Sequence, residues 1–481
     1  MNNGPRLNIL TQTFTTRDSL GVEGIAASMA ADICPIINTV TPRPFYWAFL
    51  SWLYYDFIHI KGAKFDYPSF DYYLKKQDYF FVLSQLLVNN PDRERMAGVD
   101  KASANIKYNT NDLFEADRSY FKTRFGGMQY YNAGLFTMGL AEYNYSQDFP
   151  NLTQYGEELA LAFESVIKNT RYYKEYRLIE SPIPKDVLVE YGEVINIGLK
   201  GFDKCKNILA SHLLEKNNER RNESWDYAVF LNKKGIVLRD YSYAREVLYD
   251  KYSVRGQNED YPDELCNVIK GWELVIGRQY FAAALEIMWK FMLDVLDVPK
   301  AKNEWINGSL NDSVFDFDLN DKLSSLIEKD SYDCKTFEDI IKKTSGSKSR
   351  NMDNDLCCGI KMLVSIYNRF NNRSDFTIEN QRTLDSGYDV SLEALIRLFE
   401  DYKDKKICDV LAYIMDKWLI RHHYETALSK MLAGRDGFYY RLVDGYYFKN
   451  EEHTFIFDMP GNRFLQLTKA MMDLDIIKVG D

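Results

Sequence analysis

The sequence predicts a mainly α-helical, multidomain protein with two winged-helix-like units and minor β content. Three observations carry that expectation. The chain has 481 residues, more than one hydrophobic core ordinarily organises. Apolar side chains recur at three- and four-residue spacing along most of it, the period of an amphipathic helix. Alternating, aromatic-rich stretches are confined to Phe438–Phe448 and Thr454–Phe457.

Taken in order, the first helix starts at Asp18 or Ser19, both good caps, and continues through Leu20, Val22, Ile25, Met29 and Ile33 until Pro35 stops it. Its alanines, Ala26, Ala27, Ala30 and Ala31, allow close approach of the aromatic helix that follows Pro44, so a helical hairpin is expected. Between the two, Pro42 and Pro44 fix Arg43 in an extended backbone. That placement makes Arg43 a structural or partner-binding candidate. The aromatic run Phe45–Ile60 spans about 24 Å as a helix, short of a bilayer core of about 30 Å, and it contains Asp56. It reads as a buried helix.

Helices are expected around Tyr72–Val88 and Asn111–Arg124, then a short helix closed by Gly139, a strand at Asn151–Thr153 and a helix from Gln154. Helix, turn, short strand and helix is the order of a winged-helix-like unit over 118–180, preceded by an N-terminal helical domain over 1–117. A central helical domain over 181–341 has its strongest helix from Cys266 to Leu296, ended by Pro299 and the Asn-rich stretch 303–311, while 217–223 reads as a polar loop. Residues 342–355 read as a linker. The last unit, 356–481, carries a helix over 407–432, the aromatic ribbon and a helix over 461–474, a second winged-helix-like order.

The composition, 46% hydrophobic and 27% charged, is that of a folded globular chain. A net charge of −10 argues against a surface that is one continuous polyanion-binding field. Seven cysteines lack framework spacing, and the polar N-terminus lacks the order of a signal peptide. A cytoplasmic protein that does not enter the membrane is expected.

The chemistry searches exclude more than they find. Walker-type, Gly-x-Gly and Gly-x-Ser-x-Gly spacings are absent, which argues against nucleotide hydrolysis, dinucleotide binding and serine hydrolysis. The only close cysteines, Cys357 and Cys358, are adjacent, and His422 and His423 are neighbours that point about 100° apart on a helix. No catalytic residue, metal site or cofactor is expected. Nucleic-acid contact is expected only locally, at Arg118, Lys122 and Arg124, at Lys342, Lys343, Lys348 and Arg350, and at Arg421 and Lys430.

Three stretches carry a resemblance: Asp18–Val22 with Asn38–Trp47; Gly127–Leu140 with Leu152–Ala160; and Arg421–His423 with Ala427–Met431, Arg463 and Asp473–Ile477. Together they resemble a poorly characterised set of bacterial proteins encoded in anti-phage defence islands, often beside helicases, ATPases or nucleases. At the last turn, where such proteins often carry Gly, this chain has Asp475. The resemblance implies a non-catalytic, DNA-engaging or scaffolding subunit of a multi-component defence system, partnered by those proteins. Two alternatives stand beside it. One is an adaptor or regulator that holds an enzyme without touching nucleic acid; the other is a divergent metal-dependent nuclease.

Overall fold

The computed structural model describes residues 18–41, 43–61, 67–90, 96, 98–109, 111–116, 129–143, 150–215, 219–251, 261–329, 332–345, 354–371, 389–434, 437–451, 455, 457 and 459–478. Most of these are helical, with strands only in short pairs and one three-stranded sheet. The contacts divide the chain into two compact units, each built from discontinuous sequence: Met1–Asp32 with Asp240–Gly461, and Ile33–Arg239 with Asn462–Asp481. Each unit is therefore completed by a piece from the far end of the chain. Their limits differ from the sequence boundaries at 117, 180, 341 and 355 for that reason.

In the first unit, the helix Cys266–Val295 is buried along almost its whole length and on every side. A helix without a polar face is covered all round, and the helices Asp355–Phe370, Lys302–Asp312 and Cys334–Thr344 pack against it. Gly359 permits the closest approach, because an added Cβ would lie 2.3 Å from the Met288 side chain and 3.1 Å from the Ala284 carbonyl oxygen. One buried cation of this core is multiply bonded. Arg369 bonds Glu273 at 2.8 Å and Asp250 at 3.0 Å, with its guanidinium 3.7 Å from the Tyr249 ring centre.

The expected helix over 407–432 is present as Ile407–Tyr413, a π-helical segment Ile414–Arg421 and His422–Leu432. The aromatic ribbon follows as Tyr440–Val443 and Tyr446–Lys449, and Lys300–Ala301 adds a third antiparallel strand beside Tyr446–Lys449. Of the stretch 454–457, only Phe455 and Phe457 lie within the described residues. The first helix runs Glu23–Ile33, later than expected, because Asp18 sits at φ +56° and caps from a distance. Its carboxylate accepts the N–H of Glu23 at 3.1 Å and of Gly24 at 3.3 Å.

The second unit is organised by the aromatic helix Phe45–Lys61, which packs on Gln154–Ile167, Gln129–Thr137 and Tyr67–Leu87. Phe45 stacks on Phe81 at 4.6 Å between ring centres and meets Phe163 edge-on at 5.6 Å. The expected helix closed by Gly139 is Gln129–Thr137, with Gly139 at φ +67°. Ala141–Glu142 pairs with Asn151–Leu152, and Thr153 caps the next helix through the N–H of Gly156. The remaining residues of the first winged-helix-like expectation, 118–128 and 144–149, lie outside the described residues. The helix expected over 461–474 is Arg463–Asp473; it packs on Glu219–Lys233 in this unit, with the Phe464 and Tyr227 rings 5.2 Å apart.

Four local expectations change. Residues 111–116, expected to open a helix, carry the strand Leu113–Phe114, paired with Ile183–Pro184. Residues 219–223 open the helix Glu219–Lys233 rather than a loop, because Trp225, Ala228 and Leu231 downstream give that polar start a face to bury. The Asn-rich stretch forms the helix Lys302–Asp312, held by Trp305, whose indole N–H donates to the Met292 carbonyl at 2.7 Å. Lys342 and Lys343, expected to open a linker, lie in the last turn of Cys334–Thr344, and the next helix begins at Asp355; residues 346–353 lie outside the described residues. Among the described residues, no helix is long and apolar enough to cross a membrane.

Candidate interaction surface

The ribbon turns at Asp444 and Gly445, both at positive φ (51° and 84°). A two-residue turn with both centres left-handed matches the natural twist of an antiparallel pair, and it sets the register Val443 opposite Tyr446 and Arg441 opposite Phe448. Side chains alternate across a strand. Tyr440, Leu442, Tyr447 and Lys449 therefore share one face, and Arg441, Val443, Tyr446 and Phe448 share the other.

The first face is anchored at Tyr440 and Tyr447, while Leu442 on the same face is 54% exposed. The Tyr440 and Tyr447 rings lie 5.8 and 5.4 Å from Trp305, and the Tyr440 hydroxyl donates to the Ile420 carbonyl at 2.9 Å. Burial holds the Tyr440 hydroxyl well above its ordinary pKa, so it stays a donor. The second face is exposed: Val443 at 50%, Tyr446 at 48% and Phe448 at 38%. An open cleft of about 600 Å³ lies between the ribbon and the helix His422–Leu432, lined by Tyr424, Met431, Phe438, Tyr440, Arg441 and Leu442 among others. Leu432, at the end of that helix, is 81% exposed. Exposed apolar side chains gathered in one place are characteristic of interaction surfaces.

The base of the ribbon is fixed by Asn450, which donates its backbone N–H to Tyr439 and its amide to Phe438. His423, buried behind the cleft, accepts the Tyr439 N–H on Nε2 at 3.1 Å and donates from Nδ1 to the Ser19 carbonyl at 2.9 Å. An amide N–H only donates and a carbonyl only accepts, so these two partners specify the neutral Nδ1–H tautomer.

Four of the basic residues singled out in the sequence as nucleic-acid contacts lie within the described residues. Arg421 is paired with Glu425 at 2.9 Å, both exposed. Lys430 is half-buried and donates to the Asp18 carbonyl. Lys342 and Lys343 are exposed at their helix end, while Arg118, Lys122, Arg124, Lys348 and Arg350 lie outside the described residues. Arg43 belongs to the second unit and is buried. Its guanidinium holds both Asp473 oxygens at 2.8 and 2.9 Å, and its N–H donates to the Tyr131 hydroxyl at 3.2 Å. Arg43 thus acts as a clamp on the C-terminal helix.

Sequence reasoning missed Val443, Tyr446 and Phe448. A signal was present, since Tyr440–Lys449 alternates without giving either strand face a polar set. No protein-family model matches the chain, and no curated protein or solved structure matches it.

Proposed function

We propose that the chain is a non-catalytic scaffolding subunit that holds another protein, with the outer face of the ribbon as its contact. The observation that carries this reading is the exposure of Val443, Tyr446 and Phe448 on one face of a ribbon whose other face is anchored through Tyr440 and Tyr447. Such a face places aromatic rings where a partner can desolvate them. The sequence resemblance supplies the setting, a cytoplasmic anti-phage complex whose helicase, ATPase or nuclease would be the partner. The DNA-engaging reading draws less support, because Arg421 is neutralised by Glu425 and Lys430 is spent on a carbonyl.

The test is co-isolation of the full chain from its native host, compared with a Val443→Ser/Phe448→Ser variant. Both side chains are substantially exposed, so circular dichroism and melting should be unchanged. The expected result is one stoichiometric companion protein whose affinity falls more than about tenfold in the variant. Equal recovery from both chains would overturn the assignment of the ribbon face.

A further inference from the structure

Residues 18–22 cross the first unit as a short strap. Leu20 and Val22 are fully buried, and a turn bond joins the Gly21 N–H to the Asp18 carbonyl at 3.2 Å. One face of the helix His422–Leu432 holds it: His423 bonds the Ser19 carbonyl at 2.9 Å, Thr426 the Leu20 carbonyl at 3.2 Å, and Lys430 the Asp18 carbonyl. Spacings of three and four residues put these donors in one row. Beneath the strap lies Glu286 of the central helix, buried, accepting the Ser19 hydroxyl at 3.4 Å and the Leu20 N–H.

We propose that residues 18–22 form a latch, seated by His423, Thr426 and Lys430 and gated by a proton on Glu286, whose release is transmitted to the ribbon through His423. The groups facing Glu286 are the carboxylates of Asp18 and Glu23 from the strap side and the ammonium of Lys430 from the clasping helix. Ionising Glu286 would set three carboxylates against one cation in a buried site. Burial first, then Glu23 and Asp18, hold its carboxyl well above the ordinary value of 4.5. A proton retained only in the seated state stabilises that state fully below the ordinary value. The contribution is lost progressively as pH rises towards the seated state's own pKa. Transmission is geometric: the His423 ring bonds the strap with one nitrogen and the Tyr439 N–H with the other. The device does not depend on what the ribbon binds.

Amide hydrogen exchange of the full chain between pH 5 and pH 7, corrected for intrinsic chemical exchange, tests it at two reporters, Leu20 and Tyr439. The expected result is an opening population that rises at both, approaching about tenfold per pH unit for one proton. Glu286→Gln, neutral at every pH and nearly the same shape, should flatten both profiles. A flat wild-type profile at Leu20 overturns the proton gate without recourse to any variant. A Tyr439 profile that survives Glu286→Gln overturns the transmission, because it would report the titration of His423 itself.

Discussion

Two segments distant in sequence are docked in this protein by different chemistry. In the first unit the strap 18–22 is held through its backbone carbonyls by His423, Thr426 and Lys430, over the buried carboxyl of Glu286. In the second, the C-terminal helix Arg463–Asp473 is held by an ion pair in which Nη1 of Arg43 lies 2.8 and 2.9 Å from the two Asp473 oxygens, while Arg463 bonds the Ile37 carbonyl at 3.1 Å. A hydrogen bond to a carbonyl is individually modest, and a charge-assisted guanidinium–carboxylate pair is stronger. The strap is therefore the adjustable attachment and the C-terminal helix the fixed one.

The contrast can be broken most forcefully at Arg43. Arg43→Ala leaves Asp473 without its charged partner and should cost about 3–5 kcal/mol, read as a lower denaturation midpoint. Arg43→Lys should recover only part of this, since a compact ammonium does not fill the space of the buried planar guanidinium. Thr426→Val removes one strap bond and should cost about 1 kcal/mol, seen as faster exchange at Leu20 with no change at the Arg43 N–H. If Thr426→Val proved as damaging as Arg43→Ala, the two attachments would not differ in kind. The smallest effect is expected at Arg421, whose exposed pair with Glu425 is worth within about 0.5 kcal/mol. A larger loss on Arg421→Ala, in stability or in DNA affinity, would restore that residue as a functional basic site.

How much of this was legible in the sequence follows from what each feature depends on. The helices Cys266–Val295, Gln154–Ile167 and Ile407–Leu432 were readable because their apolar periodicity is local. Arg43 was readable as special because its flanking prolines are adjacent, but its partner Asp473 lies 430 positions away, and no local rule selects it. The helices Glu219–Lys233 and Lys302–Asp312 were misread because their first turns are polar, and the buried Trp225 and Trp305 that stabilise them lie further along. The discontinuous units were not legible, since tertiary contacts alone assign the chain ends. Of the residues quoted for the resemblance, Asp18–Val22 form the strap, and His423 and Lys430 are two of the three side chains that hold it. Asp475 sits at φ +58°, a conformation glycine adopts without strain.

The claim that the ribbon's outer face holds a protein partner is tested most directly by placing a photo-crosslinking side chain at Tyr446 and another at Tyr143, an exposed tyrosine of the second unit. The protein is then irradiated in living cells of its host. A single defined protein adduct from position 446, lost when Val443 and Phe448 are changed to serine and absent from position 143, is the predicted result. Adducts of equal pattern from both positions, or adducts to DNA alone, would contradict it.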